Sequence, residues 1–283
     1  MSIRHSVALM SFYLFAYSVA HGFTDAEYKN HVQALKQKVP SGFTIVIQAP
    51  FIVIGDEAPA VVKQRSENTV AWAVSLLKKD YFARDPENII DIWLFKDDQS
   101  YYGNAKLLFH DQPTTPFGYY SDANNALIMN IQTGGGTLVH EMVHPFMHTN
   151  FPECPSWFNE GLASLYEQSR EKDGHIAGMT NWRLAGLQQA IKQKHLPLFQ
   201  ELTSMDSDAF YQKDRGTNYA QSRYLCYYLQ ENGLLVKYYH QFAKNRNSDP
   251  TGYVTLQQIL HTNDMKSFQQ TWEQFVLKLR FPN

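Results

Sequence analysis

The chain has 283 residues, a formal net charge of −2 from 25 basic and 27 acidic side chains, and 14% aromatic residues. That near-neutral balance leaves no electrostatic footprint for nucleic acid or an anionic membrane surface. Two cysteines are too few for a disulfide scaffold, and the length is enough to bury a sizeable core as one large domain or two subdomains.

The N-terminus reads as an export signal. Arg4 and His5 form a short basic start, Ser6–Ala20 is free of acidic and Lys/Arg charge, and Ser18-Val19-Ala20 offers the small residues a signal peptidase requires. Cleavage after Ala20 is expected, because the apolar run falls short of the roughly 20 residues that span a bilayer. Removing residues 1–20 takes away Arg4 and no acid, which moves the charge from −2 to −3. The mature protein is expected to be secreted or periplasmic, without membrane contact.

Tyr28, Val32, Leu35 and Val39 follow a Thr24 cap at helical spacing. The β-branched runs Thr44–Gln48 and Phe51–Gly55 predict two strands, and Ala58–Tyr81 a long helix with Val62, Val70, Val74 and Leu77 among its apolar positions. Ile89–Phe95 predicts another strand. Tyr119-Tyr120 and Leu127–Ile131 predict a hairpin turned at Ser121–Asn125, where Ser, Asp and Asn cluster. From Thr137 helices dominate: Thr137–Met147, Ser156–Glu167, Asn181–Lys194, Asn218–Asn232, Leu234–Lys244 and Met265–Leu279. Strands mixed with helices first, then helices alone, predict an α+β fold with a helical C-terminal part. The best position for a division is Asp173-Gly174, giving 1–20, 21–173 and 174–283.

His140-Glu141-Met142-Val143-His144 is an H-E-x-x-H sequence on the first of those late helices. Residues four apart share a helix face, so both imidazoles can reach one metal ion. Glu141, roughly 100° round the helix, can flank the ion and address a water instead of ligating. Leu138, Val139, Met142 and Val143 supply apolar faces around the histidines. A tetrahedral catalytic zinc takes three protein ligands and keeps one position open. His148 repeats the spacing but would lie roughly 12 Å along a continuing helix from His140; Pro145 ends or bends that helix, which keeps His148 in play. The other candidate is Glu160, on a helix opened by Pro155 and a Ser156 cap.

The string Trp157-Phe158-Asn159-Glu160-Gly161-Leu162-Ala163 resembles the third-ligand helix of gluzincin aminopeptidases and of smaller peptidases in that superfamily. The resemblance is specific over Ile128–Glu167. It implies a zincin-like metallopeptidase domain with a small mixed sheet and a zinc-binding helix pair. It also implies one Zn²⁺ held by His140, His144 and Glu160, with Glu141 as the base. Glu167, two turns beyond Glu160, matches a carboxylate that orients a zinc-bound imidazole. Tyr219, opening an apolar helix some sixty residues on, resembles the tyrosine that stabilises the oxyanion. The G-A-M-E-N segment of the aminopeptidases has no counterpart, since Gln132–Gly136 stands there, so the resemblance does not carry aminopeptidase activity.

The implied activity is hydrolysis of a peptide or protein substrate. If Leu127–Ile131 is the sheet edge, that substrate lies antiparallel to it. A non-catalytic zinc-stabilised binding module needs no Glu141, and a zinc amidase acting on peptidoglycan shares the same residues. Cys154, between the two zinc elements, and Cys226 can close one disulfide in an oxidising compartment.

Overall fold

The computed structural model describes residues 22–212 and 216–282. The expected signal, residues 1–20, lies outside the described residues.

Helix α1 (Asp25–Leu35) is capped by Thr24, whose side chain accepts from Glu27 N while Glu27 reaches back to Thr24 N at 2.7 Å. Strands β1 (Thr44–Gln48) and β2 (Phe51–Gly55) follow. The long helix predicted next is one helical run in three parts: α2 (Pro59–Arg65), a π-helical stretch (Ser66–Ala71) and α3 (Trp72–Asp80). Then come β3 (Ile90–Phe95), α4 (Asp98–Phe109), β4 (Gly118–Ser121) and β5 (Ala126–Asn130). The two helices of interest are α5 (Gly135–Asn150) and α6 (Ser156–Leu165). A hairpin, β6 (Ser169–Lys172) and β7 (His175–Gly178), leads into α7 (Arg183–Gln193), α8 (Phe199–Thr203) and α9 (Ser207–Gln212). The chain closes with α10 (Thr217–Glu231), α11 (Leu235–Asn245), α12 (Tyr253–Leu260) and α13 (Met265–Lys278). Among the described residues no helix is long and apolar enough to cross a membrane.

The architecture is α+β with a small mixed sheet and many helices. The five-stranded sheet has the order β1-β2-β3-β5-β4, with β2, β3 and β5 parallel and the outer strands antiparallel to their neighbours. Its three central strands are buried along their whole length, as strands covered on both faces must be. Side chains alternate between the two layers with period 2. Ile52, Ile54, Trp93, Phe95 and Ile128 meet α1 and α4, whereas Phe51, Val53, Ile92, Leu94, Leu127 and Met129 join the larger core with α3, α5, α6 and the C-terminal helices.

Three features depart from the expectations drawn from sequence. Helix α4 went unrecognised because it buries little besides Tyr101 and Ala105, although Asp97 caps it by accepting from Ser100 N at 2.8 Å. Strand β5 is not a sheet edge: it pairs with β3 on one side and β4 on the other, so the free edge beside the helix pair belongs to β4. Asp173 and Gly174 form the turn of the β6–β7 hairpin, both with positive φ (53° and 73°), the backbone that a two-residue hairpin loop demands. That hairpin is fastened to α3. Lys79 donates to Gly174 O at 2.7 Å, Asp80 pairs with His175, and Ile176 N donates to Asp80 Oδ2 at 3.2 Å. One apolar core spans the sequence on both sides of this turn, from Phe51 to Val276.

Candidate metal centre

Helix α5 runs six residues beyond His144, straight through Pro145, and does not end there. The carbonyl of Glu141 loses its intrahelical donor to the proline ring, and the far end of the helix is secured by Asn150, whose amide donates to Phe146 O and Arg84 O at 2.9 Å each. His140 and His144 therefore sit one turn apart, with ring centroids 4.9 Å from each other. Around them Leu138, Val139, Met142 and Val143 are fully or almost fully buried.

Helix α6 brings the third group. Glu160 Oε2 lies 3.4 Å from His140 Nε2 and 4.0 Å from His144 Nε2, and the three candidate ligand atoms fall within 4.8 Å of one another. Metal–ligand bonds of about 2.0–2.1 Å in a tetrahedron put ligand atoms roughly 3.4 Å apart, a spacing the His140–Glu160 pair already has and the His144–Glu160 pair exceeds. Glu160 Oε2 is buried without a hydrogen-bond partner. A buried carboxylate oxygen left bare is costly, and a cation between it and the two imidazoles removes that cost. His140, His144 and Glu160 thus form a buried group that could hold a metal ion. His148, exposed one turn further along α5, does not belong to it.

Each of the three has a second partner on its outer side. His140 Nδ1 stands 3.3 Å from Glu167 Oε1, at ion-pair distance but off the hydrogen-bond line. Glu167 is itself gripped by the forked guanidinium of Arg183 (Nε to Oε2 3.0 Å, Nη2 to Oε1 2.8 Å) and by Asn181 Nδ2 at 3.0 Å. His144 Nδ1 lies 3.0 Å from Asn159 Oδ1, which leaves Nε2 for the metal side when Nδ1 carries the proton. Tyr211 donates its hydroxyl to Glu160 Oε1 at 2.7 Å, turning the other oxygen, Oε2, toward the histidines.

The charges are strongly coupled. Burial opposes a proton on His140, but Glu160, Glu167 and Glu141 outweigh it and lift the imidazole pKa to about 10. Burial likewise opposes ionisation of Glu160, and His140, His144 and the Tyr211 hydroxyl overcome it, holding the carboxyl at about 2. Glu167 is kept at about 2 against its burial by His140 and Arg183. Such a field draws positive charge to the space between the imidazoles and Glu160, whether a proton or a metal cation supplies it.

Beside this group a cleft of about 480 Å³ opens, lined by His140, Glu141, Arg183, Tyr211 and Tyr219 among others. Burial and the charge of Glu160 push the Tyr211 and Tyr219 phenols above the ordinary tyrosine range, so both hydroxyls keep their protons at neutral pH. Tyr219, on α10, stacks near Arg183, 5.3 Å from guanidinium carbon to ring centre. Tyr224, five residues on, is fully buried, and its hydroxyl accepts from Asn181 N at 3.0 Å, away from the cleft. A larger cavity of about 680 Å³ lies on the other flank of α5, where His144, His148 and Asn159 line it. Glu141 lines the smaller cleft and not that cavity, so the smaller cleft is the candidate reaction space.

Arg183, Asn181, Tyr211 and Asn159 are the site residues that sequence reasoning missed. Only Asn159, adjacent to Glu160 in the recognised string, carried a usable signal. The disulfide is not formed, for Cys154 and Cys226 are both free. Cys226 is fully buried at the α6–α10 crossing, its sulfur 3.1 Å from where a Cβ on Gly161 would stand.

Gly136 is the tightest backbone contact of the site. A Cβ there would lie 1.9 Å from the carbonyl oxygen of Glu167, so α5 meets the end of α6 only because this side chain is absent. Gly136→Ala is expected to destabilise by roughly 1–3 kcal/mol and to weaken metal binding by shifting Glu167 away from His140. A urea denaturation curve and a metal titration read both effects; unchanged values in both would show that the contact yields at no cost.

No protein-family model matches the chain, and no curated protein matches it.

Proposed function

We propose that the protein is an exported zinc-dependent metallopeptidase of gluzincin type, with a zincin-like fold. The observation that carries this reading is the convergence of His140, His144 and Glu160 beside a cleft lined by Glu141. A purely structural zinc site is closed by four protein ligands, whereas among the described residues three converge here and a potential base stands next to them.

His140, His144 and Glu160 would hold the ion. When bound, zinc supplies Lewis acidity, polarising a carbonyl and making water acidic enough to attack near neutral pH. Glu141 accepts the proton of the attacking water and passes it to the leaving amine. Tyr219 donates its hydroxyl to the carbonyl oxygen as negative charge develops there. Tyr211 keeps Glu160 turned toward the histidines, and Glu167 does the same for His140 through Nδ1. The substrate backbone lies along the free edge of β4. Cleavage after Ala20 delivers the enzyme to the periplasm or the exterior.

Metal analysis of the mature protein together with a broad peptide-library digest tests the proposal. One zinc per chain and cleavage of peptide bonds are expected; zinc without cleavage would favour a zinc-stabilised binding module.

Two phenol substitutions separate the tyrosine roles. Tyr219→Phe should lower kcat by about 10²-fold with little change in KM or zinc content, the mark of a group that acts in the transition state. Tyr211→Phe should weaken zinc affinity by about 10–100-fold, because it frees Glu160 to rotate. Zinc titrations and steady-state kinetics on both variants, with Tyr224→Phe as the buried control, decide the assignment. The opposite pattern, with metal lost at 219 and turnover at 211, would exchange the two roles.

A further inference from the structure

The cleft beside the metal group is rimmed by exposed aromatic rings. Of ten large apolar side chains that stand exposed among the described residues, three line this one space: Phe117 (50% exposed), Trp182 (53%) and Tyr211 (44%). Large apolar groups gathered at one concavity mark a binding surface. Their placement is fixed by what surrounds them. Trp182 lies between Asn181 and Arg183, both of which turn inward to Glu167, and this leaves the indole projecting at the cleft mouth. Phe117 has its backbone pinned: its carbonyl accepts from Asn130 N at 2.9 Å, and Asn130 Nδ2 donates to Pro116 O at 2.9 Å. Phe117 leads into β4, whose outer edge is unpaired among the described residues, so it joins the aromatic rim to a strand that can receive a polypeptide backbone.

Charge decides which side chain belongs there. Among the described residues Arg183 is the cation that lines the cleft, but two of its donors are forked onto Glu167 and its guanidinium stacks 5.8 Å from the Trp182 ring and 5.3 Å from that of Tyr219. With a dication on the three ligands, Arg183 and the ion balance Glu141, Glu160 and Glu167. Among the described residues the loaded cleft has no net charge to attract an acidic or basic residue, and its rim is aromatic.

We propose that this cleft selects a bulky uncharged side chain, aromatic or long aliphatic, from a polypeptide laid along β4, with Trp182 and Phe117 as the selecting residues. The proposal rests on the peptidase reading, and two separate measurements distinguish failure of one from failure of the other.

The first is a positional-scanning peptide library with the zinc-loaded protein. One position should favour Phe, Tyr, Leu or Met over Ala, Asp and Lys by at least tenfold. Trp182→Ala should lower kcat/KM on the favoured peptides by about 30-fold, through KM, and should change peptides with Ala at that position less than threefold. Trp182→Phe should restore most of the loss. The second is equilibrium binding of the same peptides to zinc-loaded Glu141→Gln, followed by calorimetry. If bulky peptides bind preferentially there and none is cleaved by the parent protein, the selectivity stands and the peptidase reading falls. Equal binding of bulky, small and charged peptides overturns the proposal, as does binding of peptidoglycan fragments through their sugar rings in place of peptides.

Discussion

On the proposed mechanism, Glu141→Gln should retain one zinc per chain and lose turnover by about 10²–10⁴-fold, the contribution of a positioned general base. The three metal-facing groups are untouched by this change, and the amide is the same size as the carboxylate. What the amide cannot do is take a proton from water. Glu141 lines the cleft next to His140, and its charge is one of those that raise the His140 pKa. Its removal should therefore alter zinc affinity only slightly while abolishing the chemistry. Kinetics on the best library peptide, with metal content measured on the same sample, provide the check. Turnover within a few-fold of the parent, at full zinc occupancy, would refute Glu141 as the base.

Glu160→Ala should give the contrary result: the ion is lost, and activity with it. Two imidazoles from one helix leave zinc under-coordinated, and the truncation leaves the Tyr211 hydroxyl without its acceptor. His148→Ala is the matched comparison, since that side chain is exposed and outside the ligand group. The expected pattern is near-zero zinc in the first variant after dialysis and full zinc in the second. Stoichiometric zinc in Glu160→Ala together with loss in His148→Ala would reassign the third ligand.

The part of the site legible in sequence is the part carried by local periodicity. His140 and His144 are four residues apart on a helix with apolar flanks, and Glu160 lies in a recognisable string on the next helix, so the three could be named without coordinates. The residues behind them could not. Arg183 and Asn181 reach Glu167 only because the β6–β7 hairpin turns the chain back past the end of α6, and Tyr211 comes from a short helix with no apolar repeat of its own. That hairpin escaped notice because β6 is charged and exposed along most of its length, Ser-Arg-Glu-Lys, so alternation gave no signal. The three buried strands were found for the opposite reason: each is a short, mostly apolar run, broken only by Asp91 in β3 and ended by Asn130 in β5. Which strand forms the sheet edge depends on the order of pairing across the sheet, a property of topology that residue patterns do not encode.

The outer grip on the ligands has a consequence for folding. The metal-facing groups lie within residues 140–160, but the side chains that hold them in place, Asn181, Arg183 and Tyr211, belong to the chain after the hairpin. An ion bound by the native arrangement and not by the unfolded chain adds RT ln(1 + [L]/Kd) to stability, about 2.7 kcal/mol at a hundredfold excess over Kd. Because the two stretches share one cluster, that gain is distributed to both. A metal ion bound there would act as a clasp, and chelation should loosen the helices after residue 180 as well as α5 and α6. Amide hydrogen exchange would record this as a common rise in exchange rate across segments far apart in sequence.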